Sequence, residues 1–132
     1  MRRNKFTRAL IAAASLLGAI PLMAQQPAAA APEFPYGKYT IVALDPTYGP
    51  PPGMSVEFTP TAMNVIRGGQ VVESHGLSVH GEVVETFTLG GSCTEAGRYQ
   101  WRTNGKLMTF ELVSDPCSNR AMALMAVQFE RQ

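Results

Sequence analysis

The chain has 132 residues, 45% of them hydrophobic, and a formal net charge of +1. Four of the eleven basic residues lie within the first 24 positions and none of the ten acidic residues does, so the remainder carries a net charge of −3. A mildly acidic domain lacks the basic surface that nucleic acid binding requires, and we expect no nucleic acid partner. The roughly 108 residues that remain suffice for one hydrophobic core but not for two.

The first 24 residues have the pattern of a secretory signal peptide. A basic start is followed by an apolar run over 9–22 and by a cleavage sequence that ends at Ala24. The run is shorter than the roughly 20 residues that a membrane-spanning helix needs, and Pro21 interrupts its end. We therefore predict export by the general route, a periplasmic or secreted product, and no membrane span in the mature form.

The first half of the mature chain reads as an arm followed by short strands. Residues 25–35 are rich in alanine and proline without an alternating apolar pattern, which predicts a tether or disordered arm. From Tyr36 onward, segments of alternating polarity are separated by turn residues, which predicts one β domain over 36–132. Strands are expected at 38–44, 54–59, 61–67 and 70–74. The segment 45–53 contains too much proline to join a sheet.

The second half contains the clearest strand patterns. A long alternating strand is expected over 77–89, with a bulge or sharp bend at Gly81. A hairpin follows, in which Asn104-Gly105 supplies the tight turn. Residues 121–131 fit a helix or a strand, because alanine, methionine and leucine favour helices. We favour a strand there, because 127–130 alternate and a last strand would close the sheet.

Cys93 and Cys117 are the only cysteines. In an exported protein such a pair is oxidised by default, so the sequence predicts one disulfide. No CxxC spacing supports a redox or zinc site. Close to the second cysteine, Asp115-Pro116 is typical of a turn, and Arg120 is expected to pair with an acid or a carbonyl around the cystine.

Together these segments give about eight strands joined by short connections. The sequence therefore predicts an all-β fold, a single antiparallel up-and-down barrel with one disulfide, because closing the sheet removes its exposed edges.

This expected barrel resembles the calycins, the group of small barrels to which the lipocalins belong. In lipocalins a Gly-x-Trp motif on the first strand places an aromatic ring at the barrel floor, under an arginine from the last strand. Gly37-Lys38-Tyr39 and Arg131 occupy comparable places here, so the resemblance implies that Tyr39 and Arg131 close the barrel. Tyrosine replaces tryptophan, the second lipocalin signature is not visible, and the domain is shorter than a typical lipocalin.

A second resemblance lies in the C-terminal part of the chain. The motifs Gly97-x-Tyr99-x-Trp101, Gly105-x-Leu107 and Asp115-x-Cys117-x-x-Arg120 are similar to a pattern in small secreted bacterial proteins, most of them without an assigned activity.

A barrel of about eight strands is either filled by its own side chains or holds one small ligand. We expect a noncatalytic, lipocalin-like barrel that binds a small apolar ligand in its interior and uses no cofactor. Aromatic residues and adaptable methionines are the candidate contacts: Tyr48, Met54, Met63, Trp101, Met108 and Met122. A packed core of methionines is the competing interpretation.

Two further classes of function stay open as alternatives. The arm over 25–35 and the loops could bind a protein partner or inhibit an exported enzyme. A purely structural surface protein is the third interpretation.

Metal binding and catalysis are disfavoured. His75 and His80 are five residues apart, which puts them on opposite faces of a continuous strand, so no metal site is predicted. Ser92 lacks the Gly-x-Ser-x-Gly motif, and the odd spacing of Glu82 and Glu85 separates their carboxylates across the sheet. We therefore predict that the protein is not an enzyme.

Overall fold

The structure is a computed structural model that describes residues 28–47, 50–88 and 93–132. The signal peptide prediction and Tyr48 lie outside the described residues. The elements in chain order are β1 (Gly37–Ala43), β2 (Met54–Phe58), β3 (Ala62–Arg67), β4 (Gln70–His80), β5 (Val83–Thr88), β6 (Gly97–Thr103), β7 (Leu107–Ser114), α1 (Ser118–Met125) and β8 (Val127–Arg131). No helix in these described ranges has the length and apolar character needed to cross a membrane.

The eight strands form one closed antiparallel barrel, which confirms the predicted fold. Each strand pairs with the next, and β8 returns to pair with β1 in the register that joins Tyr39 to Arg131 and Ala43 to Val127. Side chains alternate between the interior and the surface, as on β2, where Met54, Val56 and Phe58 are buried. The predicted hairpin also forms, and Gly105 in its turn has a φ of +93°.

The chain between residues 70 and 89 differs from the prediction. β4 continues through Gly76 to His80, and Gly81 lies in the turn before β5, with a φ of +61°, rather than forming a bulge within one long strand. Gly76 lies within the strand, and the ring of Phe87 on β5 covers the space that a side chain at position 76 would occupy. The predicted strand 70–74 joins the first part of the predicted strand 77–89 to form β4, and the second part of 77–89 forms β5. The number of strands is therefore unchanged.

The predicted strand over 121–131 is also partly wrong. Residues Ser118–Met125 form helix α1, and only Val127–Arg131 form a strand. Helix propensity decides the first part, since Ala121 and Leu124 can bury one face of a helix while Met122 remains exposed. In the second part the alternating Val127 and Phe129 are buried inside the barrel, and this burial favours a strand.

One end of the barrel is closed by a cluster of aromatic rings, here called the floor, which consists of Phe34, Tyr39, Phe58 and Trp101. The ring of Phe34 lies 5.7 Å from that of Phe58 and 5.3 Å from that of Trp101, in edge-to-face contacts. The indole of Trp101 donates a hydrogen bond to the Gly81 carbonyl at 2.9 Å. Phe34 belongs to the predicted tether, yet its side chain is part of the core, whereas residues 28–33 are exposed.

Candidate functional site

The half of the barrel opposite the floor contains a half-open cavity of about 480 Å³. It lies where β1 ends and β8 begins, beside α1. Most of its wall is apolar, with side chains from β1, β2, β3 and α1: Ile41, Met54, Val56, Met63, Val65 and Leu124. Phe129 on β8 also lines the cavity, so the wall is mainly aliphatic and includes one aromatic ring.

The structure separates the predicted ligand contacts into different places. Met54 and Met63 line the cavity together. Trp101 and Met108 are buried in the packed half and do not line it, and Met122 is 55% exposed on α1. Tyr48 lies outside the described residues, although Pro50 of the same loop lines the cavity.

Tyr39 and Arg131, which the lipocalin resemblance pairs, are in contact. The guanidinium carbon of Arg131 lies 5.9 Å from the centre of the Tyr39 ring, and its Nη1 donates to the Tyr39 hydroxyl at 3.4 Å. That hydroxyl donates to the Pro35 carbonyl at 2.5 Å. Burial raises the pKa of Tyr39, an effect that the nearby Arg131 charge opposes, so the phenol stays neutral and available as a donor.

A short polar chain lies on the β4 and β5 side of the cavity. His75 is buried, its Nε2 lies 2.9 Å from Oε1 of Glu73, and its Nδ1 lies 3.5 Å from Oγ1 of Thr88. All three residues line the cavity. With the proton on Nε2, the imidazole donates to Glu73 and accepts from Thr88, so both of its ring nitrogens have a partner.

The second histidine is elsewhere. His80 is exposed and contacts the hydroxyl of Ser78 at 2.9 Å, far along β4 from His75. Within the described part of the chain, no group of three or more histidine, cysteine or acidic side chains is arranged to hold a metal ion.

A buried ion pair, between Asp115 and Arg120, includes one residue of the cavity wall, Arg120. Arg120 Nε and Nη2 each donate to the Asp115 carboxylate at 2.7 Å, and the two side chains are only 8% and 0% exposed. The Tyr99 hydroxyl and the Cys117 amide also donate to this carboxylate. Arg120 Nη2 additionally donates to the Glu95 carbonyl at 2.7 Å. Arg120 therefore pairs with both an acid and a carbonyl beside the cystine, as the sequence suggested.

The pKa values in this pair follow from these contacts. Burial alone would raise the pKa of Asp115, but hydrogen bonds from Arg120, Tyr99 and the Cys117 amide together hold it below its ordinary value. The hydrogen bond to Asp115 raises the pKa of Arg120, and burial together with the neighbouring carboxylate raises that of Tyr99. All three groups therefore keep one protonation state at neutral pH.

The Gly97-x-Tyr99 motif has a packing explanation. A Cβ on Gly97 would overlap the Asp115 carboxylate and approach Arg120 Nη2 to 3.0 Å. Glycine at 97 therefore lets the buried ion pair lie directly against β6, while Tyr99 on the same strand supplies the phenol that contacts it.

Replacing Tyr99 by phenylalanine is expected to lower the free energy of unfolding by about 1.5–3 kcal/mol, because the substitution removes a hydrogen bond to a buried carboxylate. Urea denaturation at neutral pH measures the change. Tyr36→Phe is the matched control, since Tyr36 also packs against the core but makes no side-chain hydrogen bond to the described residues. Equal effects of the two substitutions would contradict this account.

The predicted disulfide is present. Cys93 and Cys117 are bonded, with their Cα atoms 6.0 Å apart, and both line the cavity. The bond joins the segment before β6 to the start of α1 and so holds the helix beside the cavity. A disulfide of this kind indicates an oxidising, extracytoplasmic environment.

Sequence reasoning missed most of the cavity wall and its polar chain. Val65 and Leu124 were predicted only as members of strand segments, and His75 was disfavoured as a metal ligand and expected to be exposed or at a hairpin edge, whereas it is buried. Alternation alone places Val65 and His75 on the inner face of their strands, but it does not tell which inner residues lie in the hollow half.

No protein-family model, curated protein or solved structure matches this chain. Its class is therefore defined by architecture: a small closed antiparallel barrel of eight strands, consistent with a calycin-like fold. One helix, one disulfide and a half-open apolar cavity complete the description.

Proposed function

We propose that this protein is an exported, lipocalin-like barrel that binds a small apolar molecule in the cavity above its aromatic floor. One observation carries the proposal: the barrel contains a half-open cavity of about 480 Å³ that is walled mainly by apolar side chains. Cavities of roughly 300–1,000 Å³ with apolar walls and a few polar groups are typical of small-molecule sites.

The composition of the wall supports an apolar ligand. Met54 and Met63 are unbranched and polarizable, so they adjust to ligands of different shape. The disulfide and the buried Asp115–Arg120 pair fix the side of the cavity next to α1 before any ligand arrives, which reduces the entropy lost on binding. The predicted signal peptide and the disulfide together support a periplasmic or secreted location.

Filling the cavity should weaken this binding without unfolding the barrel. We expect Val65→Phe to weaken binding of the neutral fluorophore N-phenyl-1-naphthylamine by about tenfold or more, because the added ring would occupy the space of the ligand. Fluorescence titration of the exported form with its disulfide intact gives the dissociation constant.

Val113→Phe is the matched control, since it adds the same ring to a side chain that is 53% exposed on β7. Circular dichroism must show the same β content in both variants. Equal affinity of both variants, or no binding by the unmodified protein, would refute the proposal.

A further inference from the structure

The exposed apolar side chains of this protein are gathered at one end of the barrel. Within the described ranges 28–47, 50–88 and 93–132, seven leucine, valine and methionine side chains are 42–58% exposed. All of them lie at the end where the cavity opens, and in these ranges none lies at the floor end. They are here called the rim: Leu44, Val71, Val72, Leu112, Val113, Met122 and Met125.

One part of the rim comes from the first four strands. Leu44 directly follows β1, and its amide donates a hydrogen bond to the Ala126 carbonyl at the end of α1. Val71 and Val72 lie at the start of β4, directly before Glu73, which lines the cavity. These side chains therefore lie beside the cavity mouth.

The other part of the rim comes from β7 and α1. Leu112 and Val113 lie near the end of β7, and Cys117, three residues after that strand, lines the cavity. Met122 and Met125 are exposed on α1, whose other side lines the cavity. In the closed order of eight strands, β3 and β4 lie across the barrel from β7 and β8. The rim therefore has members on opposite sides of the mouth.

The composition of the rim favours lipid over protein as its partner. Exposed apolar side chains gathered in one place are typical of surfaces that contact a protein or a membrane. Tryptophan, tyrosine and arginine dominate the binding energy of protein interfaces, where leucine and valine are under-represented. The rim contains only aliphatic side chains, and leucine and valine partition favourably into lipid hydrocarbon.

The position of the cavity also favours a membrane. Its mainly apolar wall opens between the two parts of the rim. A protein partner or a second copy of this chain seated on the rim would cover the mouth. A bilayer would instead bring the mouth against hydrocarbon, in which apolar molecules dissolve.

The charges at the mouth determine the kind of lipid. Asp45 follows β1, Glu73 lies near the start of β4, and Glu95 accepts a hydrogen bond from Arg120 of α1 through its carbonyl. Arg67 lies at the end of β3. Anionic lipid attracts clusters of lysine and arginine, whereas the acidic residues here give no such attraction. A neutral, zwitterionic lipid such as phosphatidylcholine fits this end of the barrel.

We propose that the rim binds the surface of a neutral lipid bilayer, with the cavity mouth facing the hydrocarbon and the floor facing away from it. The aliphatic side chains enter the outer part of the hydrocarbon, as in proteins that lie on a membrane without spanning it. This inference goes beyond the proposed function, because it assigns a second binding surface outside the cavity that can be measured without a ligand.

Cosedimentation with vesicles of dioleoylphosphatidylcholine tests the inference on the exported form with its disulfide intact. We expect the unmodified protein to sediment with the vesicles, and equally in high salt, because apolar contacts are not screened. Val71→Ser combined with Val72→Ser should lower the partition coefficient about tenfold or more, since it removes two exposed apolar side chains. Met122→Ser combined with Met125→Ser should lower it similarly from the other side of the mouth.

The matched control is Val83→Ser combined with Leu107→Ser at the floor end. These two residues precede the buried Val84 and Met108 at the starts of β5 and β7, so their side chains face outward. The control should leave the partition coefficient unchanged, and circular dichroism must show the same β content in all variants.

Several results would overturn the inference. These are no sedimentation with the vesicles, an equal loss in the control, or binding only to vesicles that contain phosphatidylglycerol and only at low salt. A dimer in analytical ultracentrifugation that the rim substitutions dissociate, without vesicle binding, would show that a second copy covers the rim.

Val65→Phe separates this inference from the proposed function. Val65 lines the cavity and is not part of the rim, so this variant should lose binding of N-phenyl-1-naphthylamine and keep its partition to vesicles. Vesicle binding without fluorophore binding by the unmodified protein would refute the proposed function alone, and the reverse result would refute the rim inference alone.

Discussion

Asp115→Asn is expected to lower the free energy of unfolding by about 3–5 kcal/mol, because it leaves the charge of Arg120 buried without a counterion. The side chain of Asp115 is completely buried and accepts hydrogen bonds from Tyr99, Cys117 and Arg120. An amide at this position cannot balance the guanidinium charge, and its NH₂ group would face donors. Urea denaturation at neutral pH measures the loss.

The control for Asp115→Asn is Glu111→Gln, which breaks the ion pair between Arg102 and Glu111 on the barrel surface. Both of those side chains are more than half exposed, so the free energy of unfolding should change by no more than about 1 kcal/mol. Comparable losses in the two variants would show that the buried pair has no special role in stability.

Asp115→Asn should also change the pH dependence of the free energy of unfolding. The folded-state pKa of Asp115 is lower than its ordinary, unfolded-state value. The stability that the ionised Asp115 carboxylate contributes to the fold is therefore fully present above the unfolded pKa. That contribution is lost as the pH falls through the folded pKa. The difference in unfolding free energy between the unmodified protein and Asp115→Asn should therefore be largest above about pH 5 and shrink in stronger acid. Denaturation series at several pH values test this, and a difference that grows in acid would contradict it.

Removing the disulfide is the second change with a large expected effect. Replacing Cys93 and Cys117 together by alanine should lower the free energy of unfolding by about 3–3.5 kcal/mol, because the bond closes a loop of about 25 residues in the unfolded chain. The separation of the two cysteines is 24 positions. Urea denaturation of the variant, compared with the unmodified protein, gives the value.

Reductant provides the matched control for the disulfide prediction. Dithiothreitol should destabilise the unmodified protein by a similar amount and leave the double alanine variant unaffected. Because both cysteines line the cavity, we also expect weaker binding of N-phenyl-1-naphthylamine in the reduced protein. Unchanged stability on reduction would show that the bond contributes nothing to the fold.

Errors in the sequence interpretation have identifiable physical causes. Gly81 was expected to bend one strand, but it forms the turn between two, because a strand pattern of period two continues unchanged on both sides of a tight turn. Ala121 to Met125 were expected to be extended, but local helix propensity prevails there since the chain has not yet re-entered the sheet. Phe34 was assigned to a tether because one aromatic residue among prolines shows no periodicity, yet its ring is buried against Phe58 and Trp101 in the floor that closes one end of the barrel.

The sequence by itself determined the closed β architecture, the disulfide and the position of the hairpin, because alternation, turn residues and cysteine number are local or compositional properties. It also indicated that Arg120 would find a partner near the cystine. Only the tertiary structure decided that the barrel is packed with rings at one end and hollow at the other. Side chains from β1, β2, β3 and α1 meet there only after the sheet has closed, so the volume they leave is a property of the whole barrel and of no single segment.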